Sequence, residues 1–175
     1  MPKIIENLKE KLLEEAKRQV AENGYAKTTI RSIAAACGVG TGTVYNYFAS
    51  KDMLIASFMV EDWLDCLEKM SGLGAEDPKA FLQGVHDALK GFIDSHSALF
   101  YDKDAAASYS ASFMSHHAQL RGQIAEVIGP VCRAAGREDR FFADFVAESL
   151  LTWTSTGKDF EEQWSVLGSL FAARA

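Results

Sequence analysis

A chain of 175 residues, 48% of them hydrophobic and only three of them proline, holds enough apolar material for one folded body; this excludes a disordered or collagen-like protein and leaves no room for two independent enzymes. The net charge of −6 excludes a uniformly basic nucleic-acid coat, yet the charge is uneven, with residues 1–51 summing to +3 and the remainder to −9.

Taken in chain order, Ile5, Leu8, Leu12, Ala16 and Val20 recur at helical spacing and predict a first helix over Ile4 to Asn23, stopped by Gly24. Thr28 is expected to cap a short helix through Cys37, whose face is Ile30, Ile33, Ala34 and Cys37. Gly38-Val39-Gly40 reads as a turn, Thr41 to Tyr47 as a second short helix, and Ser50 as the cap of a long helix from Lys51 to Met70. After a Gly-containing linker, Asp77-Pro78 opens a helix to Asp94. Ser97 is expected to cap the next helix. A further helix is predicted over Gln119 to Ala135, kinked or interrupted at Gly129-Pro130, followed by helices over Asp139 to Ser155 and Phe160 to Ala173. The last is opened by Asp159 and Glu162 in capping-box spacing. The whole predicts an all-α protein of about nine helices, with no internal repeat.

Cys37, Cys66 and Cys132 are odd in number, far apart and without ligand spacing, so neither a disulfide framework nor a zinc site is expected, and a reducing cytoplasm is. No apolar run approaches the roughly 18 residues of a membrane span, and the N-terminus carries charges every few residues; no membrane association is expected. No GxSxG, HExxH or P-loop motif is present, so an enzyme, a metal and a cofactor are not expected. His116-His117 reads first as a pair of exposed or capping histidines, and second as an effector or metal contact.

Residues 24–51 carry the functional signal. Two short helices flank a tight turn that holds apolar Val39, and Ile33, Val44, Phe48 and Leu54 supply a small core able to hold the second helix outward, as a helix-turn-helix requires. Its outer face, Gly40, Thr41, Thr43, Asn46 and Tyr47, suits phosphates and base edges, and Gly42 allows close approach. Asn46 and Thr43 are the candidates for base reading, because an amide pairs bidentately with adenine and a threonine methyl meets thymine. Thr28 and Lys51, each at a helix start, are candidates for phosphate.

Gly24-Tyr25, Thr28-Thr29-Ile30, Ile33-Ala34, Cys37-Gly38-Val39, Gly42-Thr43-Val44-Tyr45-Asn46-Tyr47-Phe48 and Ser50-Lys51-Asp52-Met53-Leu54 together resemble the N-terminal signature of the TetR family, in order and without gaps. The resemblance covers about the first third of the chain. It implies a three-helix DNA-binding head (1–50) and a helical ligand-binding and dimerisation body (51–175). It also implies that Thr28, Thr29, Gly40, Thr41, Gly42, Tyr45, Asn46, Tyr47 and Lys51 face double-stranded operator DNA. Three positions depart from the pattern: Gly40 stands where Ser is usual, Gln19 and Val20 stand where Leu and Phe are preferred, and Cys37 replaces a common Ala. Gly40 is expected to weaken the helix cap and Gln19 with Val20 to thin the core under the first helix, while Cys37 reads as packing, with redox sensing the alternative.

For the body, Trp63, Phe92, Tyr101, Tyr109, Phe113 and His116 are the candidate lining of a small-molecule effector pocket. Phe141, Phe145, Trp153, Trp164, Leu167 and Phe171 give the last two helices more apolar surface than a monomer buries, which predicts a homodimer interface. The expected function is a sequence-specific DNA-binding regulator, a homodimeric repressor released by a ligand. The alternatives are a helical ligand-binding or protein-interaction module with a vestigial head, and a similar DNA binder without ligand control.

Overall fold

The computed structural model describes residues 7–172, with side chains for all of these except 106–115. Among them every regular element is a helix: α1 Leu8–Asn23, α2 Ile30–Ala36, α3 Thr41–Tyr45, α4 Lys51–Ser71, α5 Pro78–Ser95, α6 Ser97–Phe100, α7 Lys103–Ala134, α8 Arg140–Ser155 and α9 Phe160–Phe171. Two compact units emerge, one of residues 7–63 with Ser95–Ser110, the other of Leu64–Asp94 with residues 111–172. The first takes in the described part of the 1–50 head, together with α4 as far as Trp63 and the α6 turn.

In the first unit, Leu8, Leu12, Ala16 and Val20 follow at four-residue spacing and are buried, while Lys9, Glu10, Glu14, Lys17 and Arg18 face water. Ile4 and Ile5, expected at the start of this helix, lie outside the described residues. Gly24 ends it at φ +80°, a conformation open to glycine, with its N–H donating to the Val20 carbonyl. The cap of α2 is Thr29, which corrects the expectation of Thr28. Thr29 has extended backbone, its hydroxyl accepts from the Ser32 N–H at 3.0 Å, and Ser32 Oγ accepts from the Thr29 N–H at 3.1 Å. Thr28, one residue earlier, turns inward: it is fully buried and its hydroxyl donates to the Gly24 carbonyl at 2.9 Å.

Gly38, at φ +68°, turns the chain out of α2 in a Schellman motif, with Val39 N–H donating to the Ala34 carbonyl at 2.9 Å and Gly38 N–H to that of Ala35 at 3.2 Å. Val39 then packs on the core made by Ile33, Val44, Phe48 and Leu54. α4 opens on Ser50, whose Oγ accepts from the Met53 N–H at 3.1 Å. Near the far end of the unit one carboxylate serves three helices. Asp62 of α4 receives Lys17 of α1 at 2.7 Å and lies 2.9 Å from Nε2 of His96, the residue before α6. His96, rather than the expected Ser97, holds the cap position and stacks on Phe58 with ring centroids 6.0 Å apart. Leu99 and Ala105 complete the same core.

Gln19 does not thin this core as expected; it is buried with both ends of its amide engaged. Nε2 donates to Glu15 Oε1 at 2.6 Å and Oε1 accepts from Ser32 Oγ at 2.6 Å, so the amide links α1 to the capping box of α2. The Arg18 guanidinium, bonded to the same Glu15, holds that carboxyl below its usual range, and the Gln19 amide adds to the effect. Since each such bond contributes about 1 kcal/mol, Gln19→Ala is expected to lower stability by roughly 1–2 kcal/mol. Urea unfolding reads this directly, and an unshifted midpoint would remove the linking role.

The second unit is centred on Met70, Leu82, Leu89, Ile124, Ile128 and Leu150, all fully buried. Asp77 caps α5 by accepting from the Lys79 N–H at 3.0 Å. α7 is one helix of 32 residues, which corrects the expectation of a shorter helix beginning near Gln119 and broken at Gly129-Pro130. Its Ala-rich start continues the helix, and Pro130 is exposed, as is Glu126 four residues before it. The carbonyl that Pro130 cannot pair with therefore lies on the wet side. Gly136 and Gly157, both at positive φ, end α7 and α8 in further Schellman motifs. Asp139 caps α8, and Asp159 with Glu162 forms the expected capping box of α9. Arg137 donates twice to the Leu170 carbonyl, at 3.0 and 2.7 Å, satisfying an orphan acceptor near the end of α9. Burial pushes the Cys66 and Cys132 thiols up to about 11.

Candidate nucleic-acid interface

Val44 is the anchor of α3: it is fully buried, while Thr41, Gly42, Tyr45, Asn46 and Tyr47 around it are exposed and Thr43 is half-buried. The helix is shorter than expected, closing at Tyr45 rather than Tyr47. The Asn46 N–H is shared between the Gly42 and Thr43 carbonyls at 3.3 Å each, and the Tyr47 N–H reaches the Val44 carbonyl at 3.0 Å, which tightens the last turn. The flank thus carries two hydroxyls, one amide and two half-exposed phenols. Gly40 caps α3 without a side-chain hydrogen bond, as its lack of a hydroxyl dictates.

The two glycines of this flank are informative. A Cβ added at Gly40 or Gly42 would meet nothing within 4 Å, and Gly40 has φ −76°, which any residue adopts. Among the described residues nothing requires glycine at either position. A close external surface would.

Lys51 stands at the start of α4. Its Nζ donates to the Tyr25 carbonyl at 3.0 Å and sits 3.6 Å from the centroid of the Tyr25 ring. The Tyr25 hydroxyl in turn donates to Asp52 Oδ1 at 2.5 Å. Thr29 is exposed beside this corner, whereas the buried Thr28 hydroxyl is spent on Gly24, so Thr28 is corrected from a phosphate donor to a turn-closing residue. Cys37 is half-buried and donates to the Lys11 carbonyl at 3.6 Å; burial first, and the Glu15 charge second, raise its thiol pKa, which disfavours the reactive thiolate.

The remaining candidates fall in both units. In the first, Trp63 is buried and Tyr101 is 74% exposed; in the second, Phe92 is half-buried and His116 exposed. Neither unit by itself gathers them, and the side chains of Tyr109 and Phe113 lie outside the described residues. His117 lies 3.3 Å from Glu148, and no group of three metal-ligating side chains occurs among the described residues. No helix among them is long and apolar enough to cross a membrane. On α8, Phe141, Phe145 and Trp153 are 71%, 45% and 51% exposed. On α9, Leu167 is buried in the unit's own core, and Trp164 and Phe171 are half-buried in a stacked pair 6.1 Å apart. Val166 of α9 is 66% exposed as well; as a lone β-branched residue among aromatics it carried no signal of its own in the sequence.

The family model described as bacterial regulatory proteins, tetR family, matches residues 12–58, from the middle of α1 to Phe58 of α4. The N-terminal segment of the chain is of the TetR-family type. The chain is 36% identical over 91 residues to the HTH-type transcriptional repressor KstR2 of Mycobacterium tuberculosis (strain CDC 1551 / Oshkosh), a match covering 50% of this chain and 44% of that protein. The chain spans about half the length of the curated relatives it matches. Two solved structures share the fold. The TetR family repressor AlkX from Dietzia sp. strain DQ12-45-1b aligns with a TM-score of 0.62 at 15% identity, covering 93% of this chain and 94% of that one. BioQ, solved with its double-stranded DNA operator, aligns with a TM-score of 0.60 at 24% identity, covering 95% and 98%.

Proposed function

We propose that this chain is a TetR-family, sequence-specific DNA-binding transcriptional regulator without enzymatic activity, a homodimeric repressor that leaves a pseudo-palindromic operator when a small-molecule effector binds. The observation that carries the reading is the flank of α3, a polar surface held outward by one buried valine and bordered by two glycines that the protein's own packing does not require. Asn46 and Thr43 read base edges, Tyr45, Tyr47 and Thr41 lie against the groove walls, and Thr29 and Lys51 take phosphates. A dimer would place two copies of α3 in successive major grooves about 34–36 Å apart. Effector and operator then oppose each other by a coupling of roughly 1–3 kcal/mol.

A gel shift against the DNA upstream of the protein's own gene tests the reading, with footprinting to reveal two-fold symmetry. Lys51→Ala is expected to weaken binding to all sequences alike and to reduce the slope of log affinity against log salt by about one. Asn46→Ala should instead relax the preference at one base pair, by about 1–3 kcal/mol. A protein that ignores duplex DNA at low ionic strength is not the regulator described.

A further inference from the structure

Lysine is an awkward phosphate ligand, because its ammonium is a point charge at the end of four rotatable bonds and ordering it on binding opposes affinity. Here that ordering precedes DNA. The Lys51 ammonium has three N–H donors: one is taken by the Tyr25 carbonyl at 3.0 Å, and the ring of the same residue lies beneath the charge, 3.6 Å from Nζ to centroid. Two donors remain beyond that bond, and Lys51 itself is half-exposed. Tyr25 is fixed from its other side, being 6% exposed and bonded through its hydroxyl to Asp52 at 2.5 Å. One residue of the α1–α2 turn thus grips the first two residues of α4, and the Tyr25 carbonyl also accepts from the Thr28 N–H at 3.3 Å, which ties the grip to the start of α2.

We infer that Tyr25 is a positioning residue for DNA: its ring and carbonyl hold the Lys51 ammonium at a fixed point on the surface, so that phosphate binding orders no further side chain. The inference rests on the DNA-binding reading above. It assigns Tyr25 no contact with DNA. Its effect therefore passes entirely through Lys51, and that dependence is what an experiment can isolate.

The test is a double-mutant cycle in the full chain, with Tyr25→Leu and Lys51→Ala alone and together, binding a random-sequence duplex in about 50 mM salt, where phosphate contacts dominate. With Lys51 present, Tyr25→Leu is expected to weaken binding about three- to tenfold, the range for one immobilised side chain. In the Lys51→Ala background the same change should cost less than about twofold. Equal losses in both backgrounds would make Tyr25 scaffold only and overturn the inference. Tyr25→Phe keeps the ring and should bind within about twofold of the wild type. Should Tyr25→Leu fail to fold, Tyr25→pentafluorophenylalanine serves instead, since it keeps the ring's shape and reverses its quadrupole; a loss of affinity only when Lys51 is present supports the inference, and none at all overturns it. A wild-type protein that does not bind the duplex removes the DNA-binding reading itself, an outcome separable from a cycle without coupling.

Discussion

Val44→Asp is expected to abolish duplex binding by unfolding the first unit while the second keeps its helices. Val44 is wholly inaccessible and belongs to the core in which Ile33, Val39, Phe48 and Leu54 come from four successive segments. A carboxylate at this point has no cation or donor within the apolar cluster, so either it ionises at a cost of several kcal/mol or α3 comes away. Losses above about 4 kcal/mol consume most of the stability of a domain at the low end of the usual range of roughly 5–15 kcal/mol. The core of Leu82, Leu89, Ile128 and Leu150 is untouched, so the far-UV helical signal should fall in part and not entirely. Hydrogen exchange would show protection lost across α1 to α3. Full protection there, or undiminished binding, would contradict the role given to Val44.

The second large effect concerns association. Phe141, Phe145 and Trp153 follow at intervals of four and eight residues along α8 and give it a broad exposed apolar face, and Val166 on α9 is exposed as well. Burying such side chains stabilises a complex by about 1.5–3 kcal/mol each when complete, and aromatic anchors dominate interfaces. Phe141→Glu with Trp153→Glu is therefore expected to weaken dimerisation more than about a hundredfold, which is roughly 2.7 kcal/mol. Sedimentation should show monomers at micromolar concentration. Because both side chains lie largely in water within one chain, circular dichroism should barely change. Operator affinity should fall as well, since two linked heads bind far more tightly than one. A variant that still sediments as a dimer would place the interface elsewhere.

What could be read ahead of the structure depended on how local the determining contacts were. The 3.6-residue spacing of Leu8, Leu12, Ala16 and Val20, the Asp159–Glu162 box and the glycine stops each involve residues within one or two turns, and all were legible. The outward flank of α3 was legible for the same reason, since Val44 alternates with its polar neighbours inside a single turn. Thr28 and Thr29 were not separable by pattern, because either can cap and only the inward rotation of Thr28 toward Gly24 decides between them. Gln19 looked like a gap in the core because its partner Ser32 is 13 residues away. The continuity of α7 was hidden by a local rule, that proline breaks helices, which exposure of the freed carbonyl relaxes.

The Asp62 junction has a consequence for anyone wishing to move this head onto another body. A fragment ending at residue 63 would retain Phe58 and Asp62 but forfeit His96, Leu99 and Ala105, leaving the Phe58 ring uncovered and Asp62 with Lys17 as its partner and without the imidazole. The portable module is discontinuous in the chain, and grafts that carry residues 95–105 along with the N-terminal helices should be the ones that fold.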